Sequence, residues 1–327
     1  MKSMPRRAAL DQREQGETVL GRMVGRCKTQ LLLVGLFSGM VNLLQLTVSL
    51  YMMQIFDRVI TTHNVNTLVY LSLIAGTAIL LLAILDFSRN QIMQRLASWV
   101  ELKVAPEGFA RAIENVLCGY SYRMEALRDL ATCRSYVGSP AVLALYDIPW
   151  VPAFLGVIFV LHPMLGMVAT GGAIVLFVLT LLNELITSRP TKEANTAAIN
   201  SQRRADSIAR NAEVIDSMGM MPALMRRWQE SLADMTTPQR RAAQRGSVLS
   251  AIAKFSRLGV QIAVLGVGAY LVLQHELTSG ASMAASVIMG RALAPVEMLI
   301  GGWKQFVQVR QAFSRLQTFL RLPRLRR

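Results

Sequence analysis

The chain has 327 residues, 53% of them hydrophobic, and carries 35 Lys and Arg against 20 Asp and Glu, a formal net charge of +15. Its mean hydropathy is +0.37, and its apolar residues gather in long runs, which excludes an ordinary soluble domain. Three widely spaced cysteines (Cys27, Cys118 and Cys133), with no CxxC pair and no Cys/His cluster, support neither a disulfide framework nor a zinc site.

Residues 1–30 are polar and basic, and the apolar run that follows from Leu31 is too long for a signal peptide and has no clean small-x-small cleavage site. It reads as a retained first span over 31–56, closed by Asp57 and Arg58. A second span is predicted over 67–85, ending at Asp86. A third runs over 150–161, with the apolar residues from Ala141 able to extend it. His162 and Pro163 break the chain before a fourth, over 164–182. A fifth covers 258–273 and a sixth 281–302. The fold class is thus an all-α membrane protein with six transmembrane helices.

The connections alternate in length. Short turns join spans one to two, three to four and five to six and hold only Arg58, whereas about 87–145 and about 184–248 are long and hold 17 of the 35 Lys and Arg. Cytoplasmic loops collect such residues, so both arms and both termini are predicted to be cytoplasmic. The same asymmetry accounts for the positive charge without a nucleic-acid partner. The arms are rich in good helix formers, and Ile92, Leu96, Val100 and Val104 recur at helical spacing. Pro106 is a predicted kink or break. Each arm would reach roughly 35–40 Å from the bilayer.

Five runs carry a family resemblance: YMMQIFDRV at 51–59, YDIPWVP at 146–152, HPMLG at 162–166, NAEVIDSMGM at 211–220 and GRALAPVE at 290–297. In this order they resemble the membrane half of type I secretion ABC transporters, the protease- and lipase-exporting branch, over roughly 31–320. The resemblance implies the ABC exporter type-1 transmembrane domain: six spans with long cytoplasmic helical extensions, as a homodimer with the translocation pathway between subunits. It places a first coupling helix near Leu127, Asp129 and Arg134, and a second over Met218, Gly219, Met220 and Trp228, both pressing on nucleotide-binding domains. The partners it implies are an ATPase domain in cis or trans, a periplasmic membrane-fusion adaptor, an outer-membrane channel and a secreted protein substrate, beside membrane lipids, in the bacterial inner membrane.

The full-length family hydrolyses ATP. Here the sequence closes on a basic tail, 321–327, with no GxxxxGK(S/T) loop to cradle phosphates. ATP and Mg are therefore implied only through a nucleotide-binding domain outside this sequence, and no catalytic, cofactor or metal residue is assigned. Two further readings stand beside the exporter: a membrane scaffold that does not transport, and a multi-span lipid or prenyl transferase, whose clustered carboxylates for a metal-bound diphosphate are missing.

Among single residues, Arg291 lies inside the sixth apolar run beside Pro295 and Glu297. A charge in a span reads as a pathway-lining cation at a proline kink, or else as an ion pair or a solvated position. Glu297 and Lys304 share a helix face, which reads as solvated. Asp147, Pro149 and Trp150 form a span-entry motif: carboxylate at a helix N-terminus, proline in the first turn, tryptophan at the interface. Gly35 and Gly39, and Gly259, Ala263 and Gly266, offer small-residue faces for close helix approach.

Overall fold

The computed structural model describes residues 6–117 and 125–320. The sequence readings on Cys118 and on the 321–327 tail lie outside these residues, as does the side chain of Cys27. The first helix, α1 (Arg6–Gln54), runs through a π-helical turn, Ile55–Val59, into the short α2 (Ile60–Thr62). Then come α3 (Val65–Leu117), α4 (Glu125–Val137) and α5 (Pro140–Asp147). A 3-10 turn, Ile148–Trp150, leads into α6 (Val151–Leu161). The remainder is α7 (Pro163–Arg210), α8 (Ala212–Ser217), α9 (Met221–Leu273) and α10 (Ser279–Leu320). No strand occurs among the described residues.

Six stretches are long and apolar enough to cross a membrane: Lys28–Thr62, Val65–Glu114, Pro140–Leu161, Pro163–Arg210, Thr236–Leu273 and Ser279–Phe319. The all-helical, six-span architecture read from the sequence is therefore what the chain has. Below, the end of the bundle with the short turns is the turn side, and the end from which the long helices emerge is the arm side.

The differences lie at the ends of elements. α1 starts far ahead of the apolar run at Leu31, because Arg, Gln, Glu and Leu propagate a helix whether or not they are apolar. α3 continues through Pro106 without a break there. The third span begins at Pro140, as two helices with a 3-10 turn between them.

Buried side chains form one large cluster and two small ones. The large one joins α6, α7, α9 and α10 through Phe154, Ile158, Leu176, Val264, Met289 and Leu293. Val34, Met93, Leu96 and Leu143 tie α1, α3 and α5 together. Val104, Ala112, Leu130, Leu316 and Phe319 do the same for α3, α4 and α10 on the arm side. Most other apolar side chains face outward, Val160 at 87% and Leu273 at 79% exposure among them, as lipid-facing residues do.

Close helix approach uses different glycines from those expected on α9. A Cβ on Gly259 or Gly266 would meet nothing within 4 Å, whereas one on Gly268 would lie 2.3 Å from Ser282 Oγ of α10. One on Gly172 of α7 would lie 2.2 Å from Val260 of α9, and one on Gly39 of α1 would lie 2.7 Å from the Trp150 ring. Sequence spacing marks small residues on a face without saying which face meets a neighbour.

Candidate functional site

A buried polar knot joins the first three spans. Arg89 of α3 donates from Nη1 to Asp147 Oδ1 at 2.8 Å and from Nη2 to Asp86 Oδ1 at 2.7 Å. Asn42 Nδ2, on α1, donates to the same Asp147 oxygen at 2.8 Å. The Ser38 hydroxyl, one turn before Asn42, also donates to it. Ser38, Asn42 and Arg89 are all buried. Two neutral donors from α1 thus share Asp147 Oδ1 with Arg89 and support an ion pair that burial alone would disfavour, while the buried Arg89 Nε has no hydrogen-bond partner among the described residues.

The span-entry reading of Asp147, Pro149 and Trp150 is corrected by this geometry. Asp147 makes no cap hydrogen bond; its carboxylate is turned onto Arg89. Pro149 lies in the 3-10 turn, and the proline in the first turn of α6 is Pro152. Trp150 packs over Gly39 and against the large core cluster.

The residues read as a first coupling helix, Leu127 to Arg134, lie within α4, a helix fastened along its length. Asp129 is buried and receives both arms of the Arg315 guanidinium, Nε to Oδ2 at 2.9 Å and Nη2 to Oδ1 at 2.6 Å. That fork ties α4 to the far end of α10. Arg134 pairs with Glu101 of α3 at 2.9 Å. Leu127 is half-buried, and Leu130 joins the small cluster with Phe319. Cys133 lies one turn past Asp129. Burial first, and then the Asp129 charge, push its thiol up to about 11, with the Arg315 charge opposing.

The segment read as a second coupling helix, Met218 to Trp228, is a turn followed by the first residues of α9. The short helix is α8, Ala212–Ser217, and Met218 and Met220 belong to the turn behind it. Gly219, at φ 64°, is the left-handed residue that ends α8. Its N–H donates to Asp216 O at 3.0 Å and that of Met220 to Ile215 O at 3.1 Å, the paired closure of a helix C-terminus. Met218, Met220 and Met221 are exposed at 66%, 44% and 50%. Trp228 lies inside α9 and is half-buried.

On α10, Arg291 is exposed while Ala292, Leu293 and Pro295 beside it are buried. Arg291 pairs with no acid among the described residues. Glu297, read as part of a solvated face, is instead half-buried and ion-paired to Arg257 of α9. At the turn side Asp57 closes the first span onto the sixth. Its carboxylate accepts from the Thr278 hydroxyl at 2.7 Å and from the Gly280 N–H at 2.8 Å, capping α10 from another helix. His162 accepts from Met164 N at 3.2 Å through Nδ1, capping α7, and its Nε2 lies 3.6 Å from Glu276.

Sequence reasoning missed Ser38, Asn42, Arg89, Asp57 and Arg315 as partners. Two signals were present: polar residues four apart inside an apolar run (Ser38, Asn42), and an acid followed three later by a base at a span end (Asp86, Arg89). Among the described residues no group of three or more His, Cys, Asp or Glu converges. With no phosphate-binding loop in the sequence either, the residues present do not fit an ATP–Mg site.

The type I secretion system ATP-binding protein PrsD of Rhizobium meliloti is 32% identical over 299 residues, covering 90% of this chain and 51% of its own length. The cyclolysin secretion/processing ATP-binding protein CyaB of Bordetella pertussis is 24% identical over 292 residues, covering 87% of this chain and 41% of that protein. The leukotoxin translocation ATP-binding protein LktB of Mannheimia haemolytica is 20% identical over 297 residues, covering 89% and 42%. The chain thus spans about half the length of these curated relatives, or less. The ABC transporter transmembrane region family matches residues 126–295, just over half of the chain, from the clamped α4 to Pro295. With six membrane-length helices and the likeness to type I secretion proteins along nearly its whole length, the chain belongs to the ABC transporter transmembrane region family.

Proposed function

We propose that this chain is the transmembrane half of a type I secretion exporter. Two copies enclose a pathway for a secreted protein in the bacterial inner membrane, with the arm side and both termini in the cytoplasm. ATP hydrolysis in a nucleotide-binding domain, in cis or in trans, closes the two arms. A periplasmic adaptor and an outer-membrane channel continue the path. The likeness to PrsD over 90% of the chain is the observation that carries this reading.

The residues supply positioning, not chemistry. α4, held by Asp129 and Arg315, delivers a push to α10 as a rigid body. The exposed methionines behind α8 offer an adaptable apolar contact that survives motion of its partner. Arg291, unpaired in a span, is assigned to the pathway wall beside Pro295.

The test is reconstitution. The chain, joined to or mixed with a nucleotide-binding domain of the family, is placed in vesicles with adaptor and substrate, and ATP-dependent export is measured. Export is expected, and Arg291→Ala is expected to reduce it with the inserted, folded amount unchanged. Insertion without any export would favour the non-transporting scaffold. A loss in Arg291→Ala that tracks unfolding would remove that residue from the pathway.

A further inference from the structure

The stem of the second arm has a face that is apolar toward the bilayer and turns cationic where it leaves. On α9, Arg241, Arg245, Val248, Ile252 and Phe255 follow at intervals of three or four, so they share one face. Both arginines are exposed, and Val248, Ile252 and Phe255 are 57%, 43% and 77% exposed. On α7 the pattern recurs: Leu182 and Leu185 are exposed, and Arg189 and Lys192 follow them, also exposed.

The two helices run antiparallel with Gly172 against Val260. Counting away from that contact in both directions brings Leu185 level with Val248, and Arg189 and Lys192 level with the Arg241–Arg245 turn. None of these four cations is paired with an acid among the described residues. The nearest α7 acids are Glu184 and the exposed Glu193. Over 235–275 the chain contains no Asp or Glu at all.

We propose that this face binds an anionic phospholipid, its headgroup phosphate held at Arg241 and Arg245 with Arg189 and Lys192 at the same height, its acyl chains along Val248, Ile252 and Phe255. An exposed apolar stripe requires cover, and uncompensated cations beside it select a partner that is apolar at one end and negative at the other. Each such cation near a bilayer surface adds about 1 kcal/mol toward anionic lipid. A second copy seated by a two-fold on this face would bring a second set of the same cations against the first. The inference rests on the membrane-spanning architecture and not on transport, so its failure and a failure of export are separate results.

The test uses the full chain in nanodiscs of phosphatidylcholine with and without phosphatidylglycerol. Native mass spectrometry counts retained phosphatidylglycerol, and a photo-crosslinker at Ile252 reports what covers the face. The wild-type chain is expected to keep phosphatidylglycerol in preference and to unfold at a higher temperature in its presence. Arg241→Ala with Arg245→Ala should weaken retention by about fivefold per cation removed, while Arg241→Lys with Arg245→Lys keeps most of it. Should the alanine pair fail to insert, Arg189→Gln with Lys192→Gln reads the same loss from the neighbouring helix. Equal phosphatidylglycerol retention in wild type and a folded variant, or crosslinks to a second copy of the chain in place of lipid, would overturn the proposal.

Discussion

The two arms are built on opposite plans. The first, from α3 through α4 to α5, is rooted by the Arg89–Asp147 knot and clamped by the Asp129–Arg315 fork, with a small apolar cluster between. The second, from α7 through α8 to α9, ends in a turn closed by backbone hydrogen bonds, with methionines exposed around it. A clamped helix transmits displacement without changing shape. A turn with flexible apolar side chains changes its contacts without losing them. The difference teaches that one arm is suited to carrying force into the bundle and the other to holding a moving surface.

The sharpest way to break the contrast is at the root of the first arm. Asp147→Ala leaves Arg89 buried without its main carboxylate, which costs about 3–5 kcal/mol. A fall in the unfolding midpoint of the detergent-solubilised protein, with faster amide exchange in α5, is the expected result. Arg315→Ala removes the forked guanidinium from the Asp129 carboxylate. Because Arg315 keeps 30% of its side chain in solvent, the loss is smaller, about 2–3 kcal/mol. Hydrogen exchange should then rise across α4 and stay unchanged around α8; a rise at both would show that the arms are not independent.

Cys133 sharpens the same comparison chemically. With its thiol pushed up to about 11, its thiolate fraction at neutral pH is roughly a hundredfold below that of an ordinary cysteine, so alkylation in a Cys27→Ser, Cys118→Ser background should be slower by about that factor. Arg315→Ala removes the one opposing influence and should slow it further if α4 stays in place, but speed it if α4 detaches. The buried neutral thiol adds stability below the ordinary thiol range, and that contribution is lost as pH rises toward 11. The smallest effect is expected at the second arm. Met218→Ser, Met220→Ser and Met221→Ser together should move stability by only about 0.5 kcal/mol each or less, while lowering ATP-dependent export with a nucleotide-binding domain present. A large loss of stability instead would mean that the turn is packed and not a docking surface.

Much of this was legible in the sequence because a bilayer imposes a one-dimensional rule: runs of apolar residues of membrane length are spans, and cations gather between them. The failures share a cause. Asp147 looked like a cap because Asp before Pro usually starts a helix, and only the packing of α5 against α1 and α3 brings Ser38, Asn42 and Arg89 to it. Glu297 looked solvated because its partner, Arg257, is forty residues away in sequence. Gly219 closes α8, a common place for glycine, but most described glycines of this chain lie inside helices, so composition alone did not mark the boundary. Gly259 and Gly266 show the reverse limit, small residues at packing intervals that meet open space.

The unbroken course of α10 has a mechanical consequence. Its 42 residues make a rod of about 63 Å. One end is held by Asp57 at Thr278 and Gly280, and the other by Asp129 at Arg315. A tilt of about 5° around its midpoint would swing each end by roughly 3 Å, more than a hydrogen bond tolerates. The fastenings are therefore not independent switches. Either α1 and α4 travel with the rod, or both ends let go in one movement, unless the shaft yields at Pro295, where the backbone lacks an N–H. Leverage of this kind lets a small rotation on one side of the bilayer be felt on the other without any chain of contacts in between.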